Sequence, residues 1–142
     1  MYTRVPPLVL CLAACWKLSG GPQPNSDETI EVTLCNITRQ VSRFSGKRVR
    51  FHATVISDGL EHTVLVDRGC KLGIIPRIPD QFANKDDIRA FERALDNGAP
   101  GTFDKTVTAT FTGLFSLQSR KRVLEVEEVH DLKITPVAKA KH

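Results

Sequence analysis

The chain has no apolar run long enough to cross a membrane. Its one strongly apolar terminal stretch, Val5 to Cys15, covers about eleven residues where a helix spanning a bilayer needs ~20. It also lacks the short motifs that carry most recognisable chemistry. No nucleophile elbow, metalloprotease histidine pair, phosphate-cradling glycine loop or Ser-x-x-Lys site occurs with the context it requires. Neither Cys35 nor Cys70 belongs to a C-x-x-C pair, which argues against a structural zinc or a dithiol redox centre. The two halves of the chain show no internal repeat. These absences point away from an enzyme and leave the cofactor and metal readings empty; a small hydrolase whose residues meet only in space is the remaining catalytic alternative.

What is present is the composition of one small globular domain: 142 residues, 41% hydrophobic, 25% charged, formal net charge +4. The leader has Arg4 as its only positive charge, then Val5-Pro6-Pro7-Leu8-Val9-Leu10-Cys11-Leu12 and small residues up to Cys15. That is the layout of an export signal. Gly20-Gly21-Pro22-Gln23-Pro24-Asn25-Ser26 follows and cannot continue a helix or strand. The expected organisation is a signal peptide over 1–14, a lipidated cysteine and flexible tether over 15–32, a folded domain over 33–134 and a frayed tail over 135–142.

The tetrad Leu12-Ala13-Ala14-Cys15 resembles the bacterial lipobox. The resemblance implies that Cys15 receives a diacylglyceryl group and becomes the first residue of a lipid-anchored protein of the cell envelope, facing the periplasm if the cell is Gram-negative. Two or three acyl chains make such an anchor effectively permanent, whereas one binds marginally. Such a tether reaches roughly 20 Å, which keeps the domain near the lipid. The competing reading is cleavage by signal peptidase I after Gly20, giving a secreted or periplasmic soluble protein. In an exported chain Cys11 leaves with the leader and Cys15 is acylated, so Cys35 and Cys70 remain as one potential disulfide; in a cytosolic chain they would be two buried thiols.

Periodicity orders the body of the chain. Leu34, Ile37, Val41 and Phe44 form one stripe of a helix over Thr33 to Phe44. Val49, Phe51, Ala53 and Val55 alternate with Arg48, Arg50, His52 and Thr54 as a strand with one buried and one wet face. The Asp58-Gly59 turn then makes a hairpin with Thr63 to Asp67. A short strand over Leu72 to Ile75 is stopped or pushed to an edge by Pro76 and Pro79. A second helix is capped by Asp86 or Asp87, carries Ile88, Phe91 and Leu95, and ends at Asn97-Gly98. Val107 to Leu117 alternates over a long strand with a bulge or coil at Gly113, and a last strand begins at Arg122.

The expected class is therefore mainly β with two helices (α+β). The order resembles a five-stranded OB barrel, with one helix before the first strand and one between strands three and four; the residues carrying the resemblance are Ser45 to Phe51, the 58–59 turn, Gly113 and Leu124 to Val129. It also resembles small exported bacterial proteins that pair a cysteine before the first strand with one after the second.

Two basic clusters, Lys47, Arg48 and Arg50 and then Arg120, Lys121 and Arg122, would border one groove on such a barrel. The plainer alternative is a solvated turn and edge-protecting charges. The functional expectation is a non-enzymatic envelope lipoprotein that binds an anionic polymer or an envelope protein through this groove. An assembly or inhibitor lipoprotein acting through a protein interface is the alternative. Nucleic acid fits poorly, because the outward strand positions are Arg, His and Thr rather than stacking aromatics. His52 and His62 could face each other across the hairpin, but no third metal ligand stands at suitable spacing. Asn36-Ile37-Thr38 matches a glycosylation sequon by chance spacing within a helix.

Overall fold

A computed structural model describes residues 28–57, 62–96 and 105–136. The leader, Cys15, most of the expected tether, the Asp58-Gly59 turn, the Asn97-Gly98 helix stop and the tail beyond Pro136 lie outside the described residues. The elements run β1 (Thr29–Glu31), α1 (Leu34–Arg39), α2 (Val41–Phe44), β2 (Lys47–Ser57), β3 (Thr63–Val66), β4 (Ile75–Arg77), a 3-10 turn (Asp80–Phe82), α3 (Asp86–Asp96), β5 (Lys105–Gln118) and β6 (Lys121–Pro136). The protein is mainly β with short helices.

The antiparallel trio β2, β5 and β6 forms the body of the sheet, and its alternation builds the core. Val49, Phe51, Ala53 and Val55 stand opposite Gly113, Phe111, Ala109 and Val107, so the apolar residues of both strands share one face. α3 covers that face with Ile88, Phe91 and Ala94; the Phe91 ring meets Phe111 edge-on at 5.3 Å. Leu34 and Ile37 of α1 are fully buried in the same core.

The expected helix over Thr33 to Phe44 is broken in two. Thr33 caps α1, accepting from the Asn36 amide at 3.2 Å, but Gln40 adopts φ −129° and the chain restarts as α2. The break frees Phe44 to enter the core independently of the stripe set by Leu34 and Ile37. Cys35 in α1 and Cys70 in the β3–β4 loop form a disulfide, with Cα atoms 5.5 Å apart.

The five-stranded closed barrel does not form. The sheet has six strands in an open path, β1-β2-β5-β6-β4, with β3 paired to β2. The added strand, β1, runs parallel to β2 through residues assigned from sequence to the tether; it also places α3 between the fourth and fifth strands. Between β3 and β4 a single bridge exists, in which Leu65 and Ile74 exchange both backbone hydrogen bonds at 2.8 and 2.9 Å. The next such pair would set Thr63 against Pro76, which has no N–H to give, so the ladder stops there. Pro76 is tolerated because β4 is short and lies at the end of the path.

Candidate functional site

β6 carries an extra residue at Glu127. Thr112 opposes Glu128 and Gly113 opposes Val126, which leaves Glu127 unpaired in a bulge. Gly113 permits it: a Cβ there would overlap the Glu125 carbonyl oxygen and lie 2.9 Å from its carbon. The bulge turns the Glu127 carboxylate back over β5 to Arg48. Arg48 Nε donates to Oε2 at 2.7 Å and Nη2 to Oε1 at 3.0 Å. The loop before α3 and the first turn of α3 dock on the same bulge. Lys85 Nζ donates to the Glu127 carbonyl at 2.6 Å, and the Val129 amide donates to Asp87 Oδ2 at 2.8 Å.

These contacts frame a cleft on the outward face of the sheet, about 340 Å³ in volume. Arg48, Arg50, Thr112, Glu127 and Glu128 belong to its sheet strands, Thr29 of β1 bounds one side, and Phe82 and Lys85 bound the other. Three cations and two carboxylates line it, so it is mixed in charge with a small positive excess. Its two arginines differ. Arg48 is held bidentate by Glu127, whereas Arg50 Nε donates to the hydroxyl of buried Thr112 at 3.0 Å and, among the described residues, meets a carboxylate at Glu31 Oε1, 3.5 Å away on a largely exposed side chain.

The structure does not merge the two basic clusters into one groove. Lys47 sits exposed at the start of β2, and Arg48 and Arg50 lie in the cleft. Arg120 and Lys121 stand at the β5–β6 turn; Arg48 is level with Leu114, five residues before Ser119, which at ~3.3 Å per residue is roughly 17 Å along the strand. Arg122 pairs across from Leu117, with the alternation opposite to that of Arg48, and its Nε donates to the Gly73 carbonyl at 3.2 Å. Phe82, Lys85 and Glu127 were not legible as site residues from sequence, since a loop docking and a bulge bring them in. The one available signal was Gly113, which marks where the strand deforms.

The β2–β3 register sets Ser57 against Thr63 and Thr54 against Val66, so His52 and His62 lie beyond opposite ends of the pairing and do not face each other. His52 is exposed, with Nδ1 3.5 Å from Thr110 Oγ1, and His130 Nε2 lies 3.1 Å from Glu128 Oε2. Among the described residues no group of three or more His, Cys, Asp or Glu could hold a metal ion. Asn36 sits exposed in α1. Among the described residues no helix is long and apolar enough to cross a membrane. No protein-family profile matches the chain, and no curated protein matches it significantly.

Proposed function

We propose that this protein is a cell-envelope lipoprotein anchored through Cys15, and that its domain is a non-enzymatic binding module which takes an anionic group of an envelope polymer at Arg50. The observation that carries the reading is the contrast between the two arginines of the cleft. Arg48 is neutralised by a two-point carboxylate contact. Arg50 has a neutral hydroxyl as its closest partner, in a cleft that Lys85 also lines. A guanidinium so held is oriented by Thr112 and keeps donors for a phosphate or carboxylate. The export leader, the Leu12-Ala13-Ala14-Cys15 tetrad and the Cys35–Cys70 disulfide support the envelope location, since disulfides persist in oxidising compartments.

Binding of inorganic polyphosphate and of an acidic oligosaccharide tests the site. Arg50→Gln keeps a donor for Thr112 and removes the charge; retention of at least one of the two anions falls about tenfold with the thermal midpoint nearly unchanged. Equal retention by parent and variant, or no retention of either anion by the parent, overturns the assignment. Mass spectrometry of the mature N-terminus tests the anchor separately: a diacylglyceryl Cys15 is expected, and an unmodified Cys15 still joined to Ala14 removes it.

A further inference from the structure

Charge along β6 changes sign. The strand begins Lys121-Arg122, then carries Glu125, Glu127, Glu128 and Asp131, with Lys133 as its one later cation. The basic beginning belongs to an end of the domain where two segments converge. Residues 71–77, Lys-Leu-Gly-Ile-Ile-Pro-Arg, meet residues 116–122, Ser-Leu-Gln-Ser-Arg-Lys-Arg, through the Arg122 to Gly73 hydrogen bond and the parallel pairing of Ile75 with Val123. Neither segment contains an aspartate or glutamate. Both carry aliphatic side chains in water: Leu72 is 47% and Leu117 49% exposed, and with Ile75 they make up three of the five exposed large hydrophobics among the described residues, Ile56 and Ile134 lying elsewhere.

The turn at this end is itself unfavourable. Ser119 and Arg120 both have positive φ, 49° and 66°, in a two-residue hairpin loop for which Asn-Gly is the unstrained choice. A serine and an arginine are kept there at a conformational cost, and the arginine is thereby carried at the tip.

We propose that this end of the domain is a second binding surface, one that lies on a membrane of anionic phospholipid. Lys71, Arg120 and Lys121, exposed around Leu72 and Leu117, match the two parts of such a surface: headgroup phosphates attract the cations, and the aliphatic side chains enter the headgroup–acyl boundary. The carboxylates farther along β6 turn the remainder of the domain away from the same negative field. A soluble polyanion satisfies the cations but leaves Leu72 and Leu117 in water, so the aliphatic pair selects the bilayer. The surface is distinct from the Arg50 cleft and does not depend on lipidation.

The test uses the full chain carrying Cys15→Ser, so that no acyl group contributes, and measures sedimentation with phosphatidylglycerol-containing vesicles against pure phosphatidylcholine vesicles. The leader contributes to both compositions, so the ratio of the two partition coefficients is the readout. Arg120→Glu with Lys121→Glu lowers that ratio about tenfold or more. Leu72→Ser with Leu117→Ser weakens partitioning to the anionic vesicles severalfold while leaving polyphosphate binding unchanged. Lys133→Glu, which alters charge elsewhere, leaves the ratio within about twofold of the parent. The proposal is overturned if the tip variants partition like the parent or if Lys133→Glu loses as much as they do. It is overturned equally if the leucine variants bind vesicles as well as the parent does, which would assign the surface to a soluble anionic polymer.

Discussion

Arg48 and Glu127 face each other across β5, joined by two hydrogen bonds of 2.7 and 3.0 Å, with side chains 27% and 19% exposed. The pair ties the start of β2 to the bulge of β6, two strands away, and so fixes one wall of the cleft that Arg50 also lines. An ion pair this sheltered costs more to break than an exposed one, because the surviving partner is left partly desolvated.

Arg48→Ala and Glu127→Ala should each destabilise the domain by about 2 kcal/mol, lowering the thermal midpoint by roughly 8–16 °C. The double variant should cost clearly less than the sum, with a coupling of about 1 kcal/mol or more in a double-mutant cycle. Additive single effects, measured by urea denaturation, would show that the contact contributes nothing to stability.

Gly113→Ala should be among the most damaging single-methyl additions available. The new Cβ meets backbone, the Glu125 carbonyl and Val126 Cα at 3.1 Å, and neither can move without undoing the bulge. A loss of about 3 kcal/mol or more is expected, read from the denaturant midpoint. An unchanged midpoint would mean that β6 is not bulged at Glu127.

Removing the disulfide should destabilise strongly. Cys35 and Cys70 are 35 positions apart, and in the chain-entropy model releasing such a loop costs about 4 kcal/mol. Comparison of denaturation with and without reductant, beside the Cys35→Ser, Cys70→Ser double variant, measures it. The bond also ties α1 to the loop leading into the single Leu65–Ile74 bridge, so hydrogen exchange at those two amides should accelerate on reduction.

Ser119→Asn with Arg120→Gly should separate stability from binding. Relief of the two positive-φ positions is expected to stabilise the protein by about 1 kcal/mol, visible as a higher thermal midpoint. The same variant should partition less to anionic vesicles, since it loses the tip guanidinium. A variant with lower stability would show that Ser119 and Arg120 do not hold these backbone angles.

The sequence by itself determined the two-residue and three-to-four-residue periods, and with them the β-rich class, the wet and buried faces of β2 and β5, the apolar stripe of α3 and the special position of Gly113. Those features are local: a strand or helix shows its buried face through the spacing of its own residues. It also singled out Cys35 and Cys70 as a possible pair, which the tertiary structure brings within bonding distance. Closure of the sheet was not local. It depended on which residue would stand opposite Thr63, and that residue is Pro76, which has no N–H to continue the ladder. The strand β1 was likewise invisible, since Thr29–Glu31 is too short for a period and forms only because the edge of β2 is there to pair with. The site followed the same rule. Arg48 and Arg50 look equivalent in the sequence, two outward positions of one strand, and only the bulge that aims Glu127 at one of them leaves the other to meet a hydroxyl.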